Sequence, residues 1–113
     1  MLKSKVYFIK EITPENVVRI YKEMGVNLSG RVAVKVHSGE DGNQNYLRPE
    51  FMKPMIDYVG GTVVECNTAY DGARNTTEAH TKLMEKHGWS RIFDVDILDS
   101  EGDDLVLDIP DGK

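Results

Sequence analysis

Apolar positions along the 113-residue chain alternate between short β-branched runs and longer stretches with helical spacing. Val6 to Ile9 (VYFI) is a β-rich run. Thr13-Pro14-Glu15 follows, where a threonine side chain caps a helix and a proline suits its first position. Val17, Ile20, Tyr21 and Met24 then recur at i, i+3, i+4 and i+7, which predicts a one-faced helix stopped by Gly25. Arg31 to His37 (RVAVKVH) is mostly apolar and β-branched, the texture of a strand covered on both faces. After the polar loop SGEDGNQNYLR, Pro49 opens a second helix with Met52, Met55, Ile56 and Val59 on one side, ended by Gly60-Gly61. Pro54 lacks an amide donor and predicts an irregular first turn or a later start. Thr62 to Asn67 (TVVECN) reads as a strand, and Asn75 with Glu78 three residues on reads as a capping box for a third helix reaching Gly88. From Ile92 the texture changes: FDVDIL alternates apolar and acidic residues, DSEGDD is turn-like, and LVLDI follows. Two strands joined as a hairpin are expected there.

This order predicts an α/β fold over residues 1–113 as a single domain. Its sheet is mainly parallel, with crossover helices on its faces and a C-terminal antiparallel hairpin. In such sheets the loops that leave the carboxyl ends of the strands share one edge, and ligands bind there. Two polar loops leave such ends, Ser38 to Arg48 and Asn67 to Asn75. The first spans about 11 residues, against the two to six usual for such a connection.

Bulk properties narrow the function classes. At 40% apolar residues the chain can bury a modest core. No apolar run is long enough to cross a bilayer, and MLKSKVYFIKEITPE turns acidic too early for a signal peptide, so a cytoplasmic location is expected. Residues 1–90 carry 12 Lys and Arg against 11 Asp and Glu, a net of +1; residues 91–113 carry two against eight, a net of −6. That acidic tail, and the lack elsewhere of a basic cluster interleaved with aromatics, argue against nucleic acid. The one cysteine, Cys66, supplies neither a disulfide nor the thiolate set of a zinc or iron–sulfur site, so no metal or cofactor is expected in this chain.

The first loop gathers His37, Ser38, Glu40, Asp41, Asn43, Asn45 and Arg48, with Gly39 and Gly42. The second gathers Asn67, Thr68, Tyr70, Asp71 and Arg74 around Gly72, ahead of a helix N-terminus whose free amides favour an anion. Arg48 and Arg74 are candidates for charge-assisted bonds to a carboxylate or phosphate, so a small anionic molecule is the expected ligand. His37, at a strand end beside a long polar loop, is the candidate acid or base, and Lys35, in a strand read as buried, needs a partner or the ligand edge. The alternative is that both loops are polar because they face water, their Gly and Asn residues shaping turns. Asp41-x-Asn43-x-Asn45 opens like an EF-hand loop, but Tyr46 and Met52 stand where that loop needs Gly and Glu. The glycines at 39 and 42 form neither a Walker A nor a dinucleotide fingerprint.

The segments VAVKVHSGEDGNQNYLRPEFMKPMID and VECNTAYDGARNTTEAHTKLMEKHGW, over roughly residues 30–98, carry the patterns KVHxGExGN…YLRPE and NTxYxGxRxxTxxH. In these the chain resembles the bacterial family catalogued as domain of unknown function 362. The resemblance implies a site drawn from Lys35, His37, Glu40, Asn43, Arg48, Asn67, Thr68, Tyr70, Arg74 and His80, without assigning their roles. Members often have Asp-Thr-Asn-Thr where this chain has Glu65-Cys66-Asn67-Thr68. Longer members often carry ferredoxin-like segments for [4Fe-4S] clusters, so one alternative is the α/β part of a redox protein whose cluster segment is absent here. The ending IPDGK, with no closing helix, is compatible with a chain cut from a longer protein. The other alternative is a noncatalytic interaction module, with the C-terminal hairpin pairing to a second copy or docking to a missing domain.

Overall fold

A computed structural model describes residues 3–100, 105 and 108–112. The elements are α1 (Pro14–Met24), β1 (Val32–Lys35), α2 (Pro49–Val59), β2 (Gly61–Glu65), α3 (Thr77–Lys86), α4 (Trp89–Ile92) and β3 (Val95–Ile97). Helix α1 begins and ends as its sequence predicts. Thr13 accepts the Asn16 amide, Pro14 takes the first position, and Gly25 closes the helix at φ 66°. Val6 to Ile9 lies before α1 without strand pairing.

The three strands form one parallel sheet in the order β1-β2-β3, with Val32 opposite Gly61 and Val63 opposite Val95. Two right-handed crossovers that step in the same direction leave their helices on the same side of a sheet. The core shows this arrangement: Val34, Val36, Val63 and Val95 on one sheet face pack with Met52 and Ile56 of α2, Met84 of α3, Trp89 of α4 and Phe93. Helix α1 lies outside α2, with Tyr21 edge-on to Tyr58 at 6.1 Å.

This one-sided layering corrects the expectation that β1 is covered on both faces. Its residues alternate between half-buried and exposed, because among the described residues no helix packs over Ala33 and Lys35. The expected antiparallel hairpin is not seen among the described residues either. FDVDIL instead supplies β3, whose Val95 and Ile97 turn inward as a third parallel strand beside β2. Of its expected partner and turn, residues 101–104, 106 and 107 lie outside the described residues, and Leu105 and residues 108–112 carry no strand.

Smaller differences concern helix ends. Helix α2 runs through Pro54 from Pro49 onward; the carbonyl four residues back belongs to exposed Glu50, where water can satisfy it. The cap of α3 is Thr76, which accepts the Ala79 amide, while the Asn75 side chain bonds to Asp71. The short α4 follows a left-handed turn at Gly88, φ 87°, and sets fully buried Trp89 into the core.

Candidate functional site

The two strand-end loops meet at the carboxyl edge of the sheet, as the topology demands. The last residues of β1 and β2, Lys35 and Glu65, point their charged ends at each other there. Glu65 is 1% exposed and its carboxylate is used on both oxygens. Oε2 accepts from Lys35 Nζ and the Cys66 amide, and Oε1 accepts from Arg74 Nη1 at 3.0 Å. Lys35 Nζ also donates to the Val36 carbonyl at 2.6 Å. A buried carboxylate is tolerable only with such partners.

Arg74, 4% exposed, forms the floor of the site. Its backbone is fixed by the Thr68 amide, which donates to the Arg74 carbonyl at 2.8 Å, and Thr68 Oγ1 donates to the Tyr70 carbonyl. Arg74 Nη2 points outward to the rim. There it donates to Glu40 Oε1 and to the Tyr70 hydroxyl at 2.6 Å, and Tyr70 in turn donates to Glu40 Oε1 at 2.6 Å. The hydrogen bond from Arg74, with help from Tyr70, holds the Glu40 carboxyl below its usual range. The same bond to Glu40 pushes the Tyr70 hydroxyl up.

His37 stands exposed on the same rim, with Nε2 3.4 Å from Arg74 Nη2. The Gly39 amide donates to His37 Nδ1 at 3.0 Å, so in the neutral ring the proton sits on Nε2. Two donors, His37 Nε2–H and Arg74 Nη2–H, therefore face one another. Gly39 makes this turn at φ 91°, a left-handed conformation, and a Cβ there would stand 2.6 Å from Tyr46 Cβ.

Behind the rim runs a second, buried chain of hydrogen bonds. Asp99 accepts the Asn67 amide at 2.9 Å, and Asn67 Nδ2 donates to Thr77 Oγ1 at 3.0 Å. That leaves Asn67 Oδ1 to accept His80 Nδ1–H at 3.2 Å, and His80 Nε2 to accept the Ser38 hydroxyl at 3.1 Å. His87 Nδ1–H donates to the Ser38 carbonyl at 2.8 Å. Burial pushes the His80 imidazole below its ordinary value and keeps it neutral, as the chain requires. Hydroxyl, imidazole and amide stand in the order of a nucleophile, base and orienter. Ser38 and His80 are both fully buried, however, so the chain latches the first loop onto α3 rather than presenting a nucleophile.

The structure thus brings together Lys35, His37, Glu40, Tyr70 and Arg74, with Thr68 bracing the second loop and Asn67 and His80 in the latch behind. Arg48 and Asn43 do not join by any side-chain hydrogen bond or ion pair. Arg48 lies over the Tyr46 ring at 3.9 Å and donates to the Gln44 carbonyl, and Asn43 accepts the Asn45 amide in a local turn. Sequence reasoning missed Glu65 and Asp99 as site residues. The signal for Glu65 was present, since an acid inside a buried strand demands a cation, and Lys35 occupies the matching end of the neighbouring strand. Asp99 had no signal, being one acid among many.

A [4Fe-4S] cluster requires four thiolate-type ligands, and this chain offers Cys66 alone. No three His, Cys, Asp or Glu side chains converge on a point suited to a metal ion among the described residues. No helix among them is long and apolar enough to cross a membrane.

No curated protein and no solved structure matches the chain. Residues 32–113 match the family described as Domain of unknown function (DUF362), a span that holds all three strands, both loops and every residue of the cluster just described. The chain belongs to that family.

Proposed function

We propose that the carboxyl edge of the sheet binds a small anionic molecule through one of its oxygens, held between Arg74 Nη2 and His37 Nε2. The carrying observation is the convergence of these two donors at 3.4 Å, with half-buried Glu40 lending its carboxylate to Arg74 there. Glu40 stands in for the ligand: an incoming carboxylate or phosphate oxygen takes its place on Arg74 and gains the His37 proton as a second bond. Glu65, itself held by Lys35, stays behind to keep the guanidinium paired and aimed. Because Nε2 carries the ring proton in the neutral tautomer, His37 is also the group positioned to polarise the bound oxygen by hydrogen bonding, the catalytic form of this reading. Lys35, tied to Glu65 and the Val36 carbonyl, serves as a positioning residue.

The test is a thermal-shift titration of the chain with acetate, oxalate and inorganic phosphate, since a ligand bound only by the folded state raises the melting temperature. At least one anion is expected to stabilise the parent. Glu40→Gln should bind it more tightly, because the internal competitor has lost its charge, and His37→Ala more weakly. An anion effect of equal size in all three proteins, or no effect with any of the anions, overturns the reading.

A further inference from the structure

Among the described residues three buried side-chain polar atoms lack a hydrogen-bond partner: the Tyr21 hydroxyl, Trp89 Nε1 and Arg74 Nε. Tyr21 lies beside Tyr58 where α1 meets α2, and Trp89 lies in the core, both away from the ligand site. Arg74 belongs to the site. Its Nε–H shares the charge of the guanidinium, and a charged donor left unpaired out of water costs more than a neutral one. The guanidinium is planar, and Nη2 is the terminal nitrogen on the side of the Nε hydrogen, so Nε–H and one Nη2–H run parallel along a single edge. Nη2 is also the atom that reaches the rim. Glu40 meets it with Oε1 alone, and Glu40 Oε2 makes no hydrogen bond among the described residues. Tethered by its own backbone, Glu40 fills half of a two-oxygen seat.

We infer that the ligand is a monocarboxylate seated side-on against Arg74, one oxygen between Nη2 and His37 Nε2 and the other on Nε, an assignment that rests on the anion-binding reading above. Two oxygens on one carbon match two parallel N–H bonds, the fork by which arginine recognises a carboxylate. A halide or an alkoxide has no second oxygen to offer and leaves Nε as it is. Charge narrows the class further. With Glu40 withdrawn, Arg74 and Lys35 face Glu65 with one positive charge in excess. A carboxylate cancels that charge, whereas a phosphate dianion exceeds it beside two acids.

Nuclear magnetic resonance reads the Nε–H group directly. Arg19, Arg31, Arg48 and Arg91 are exposed, so the slowly exchanging arginine Nε–H signal of the full chain belongs to buried Arg74. Acetate and bromide are titrated separately near neutral pH. Acetate should move the Arg74 Nε proton downfield together with the Gly39 amide that braces His37, and bromide should move the Gly39 amide alone. The extra charge-assisted bond should make acetate bind about tenfold more tightly than bromide. Inorganic phosphate at about pH 8, where it is mainly a dianion, should raise the melting temperature less than acetate does at the same concentration. Arg74→Lys keeps the charge and loses the parallel pair, so it should bind the two monoanions alike. A Gly39 amide that moves with acetate while Nε–H stays still overturns the side-on seat and leaves single-oxygen binding standing. Equal affinities for acetate and bromide in the parent, or a larger thermal shift with phosphate, overturns the monocarboxylate. Signals that no anion moves overturn the anion-binding reading, and this inference with it.

Discussion

At the scale of single residues, the site rests on an exact charge count. Glu65 and Arg74 are buried against each other, Lys35 supports the acid, and Glu40 supports the base. Breaking a buried pair by removing one partner leaves the other uncompensated, which costs about 3–5 kcal/mol. Arg74→Met is therefore expected to lower unfolding stability by at least ~3 kcal/mol in urea titration, since Glu65 would be left with a lysine whose side chain is largely exposed. Tyr70→Phe removes bonds at an exposed rim and should cost under about 1 kcal/mol. A similar loss for both variants would mean that the floor of the cluster is not the buried pair described. The polar residues of the rim were legible in the sequence because loops advertise themselves. Glu65 was legible only as an acid in a buried strand that demands a cation; that Arg74 meets it from nine positions on is shown by the fold.

At the scale of elements, helix and strand identities follow closely from spacing and caps, and the differences have local causes. The third helix offers two overlapping capping patterns, Asn75 to Glu78 and Thr76 to Ala79, and the Asn75 side chain is already engaged by Asp71. Thr76 therefore takes the cap. Thr76→Ala should cost about 1 kcal/mol in denaturant midpoint analysis. Asn75→Ala should cost a few tenths, and the reverse ranking would restore the cap read from sequence. The strand Val95–Ile97 was legible as a strand but not in its direction. Its alternating acids suggest a wet margin equally well beside a hairpin partner or beside β2. What decides is that the α3–α4 crossover returns the chain to the amino end of the sheet.

At the scale of the whole molecule, pH tests whether the latch and the cluster contribute to stability together. Burial lowers His80 in the folded protein, opposed by the charges of Glu65 and Asp99 and reinforced by those of Arg74 and Lys35. A lowered histidine contributes stability that is fully present above its unfolded value, about 6.5, and is lost as pH falls from there through the folded value. Glu40, also lowered, adds a second loss that starts only in the carboxylate range. Melting temperature should therefore decline in two stages on acidification. His80→Gln should flatten the first stage and Glu40→Gln the second. A single decline that neither variant alters would mean that neither group is coupled to folding.

The sheet holds no hairpin among the described residues, and this has a consequence in time. Val32 finds its partner 29 positions later, at Gly61, and Val63 finds its own 32 positions later, at Val95. Chain closures of that length must precede the contacts that reward them, which slows folding. As the chain leaves the ribosome, β1 waits unpaired until β2 emerges, and Lys35 waits with it for Glu65. Arg74 joins nine residues later, and the aspartate that clamps Asn67 comes only after β3. The candidate site is thus complete only after all three strands, and a chain stalled in synthesis before residue 99 would carry its charges without their order.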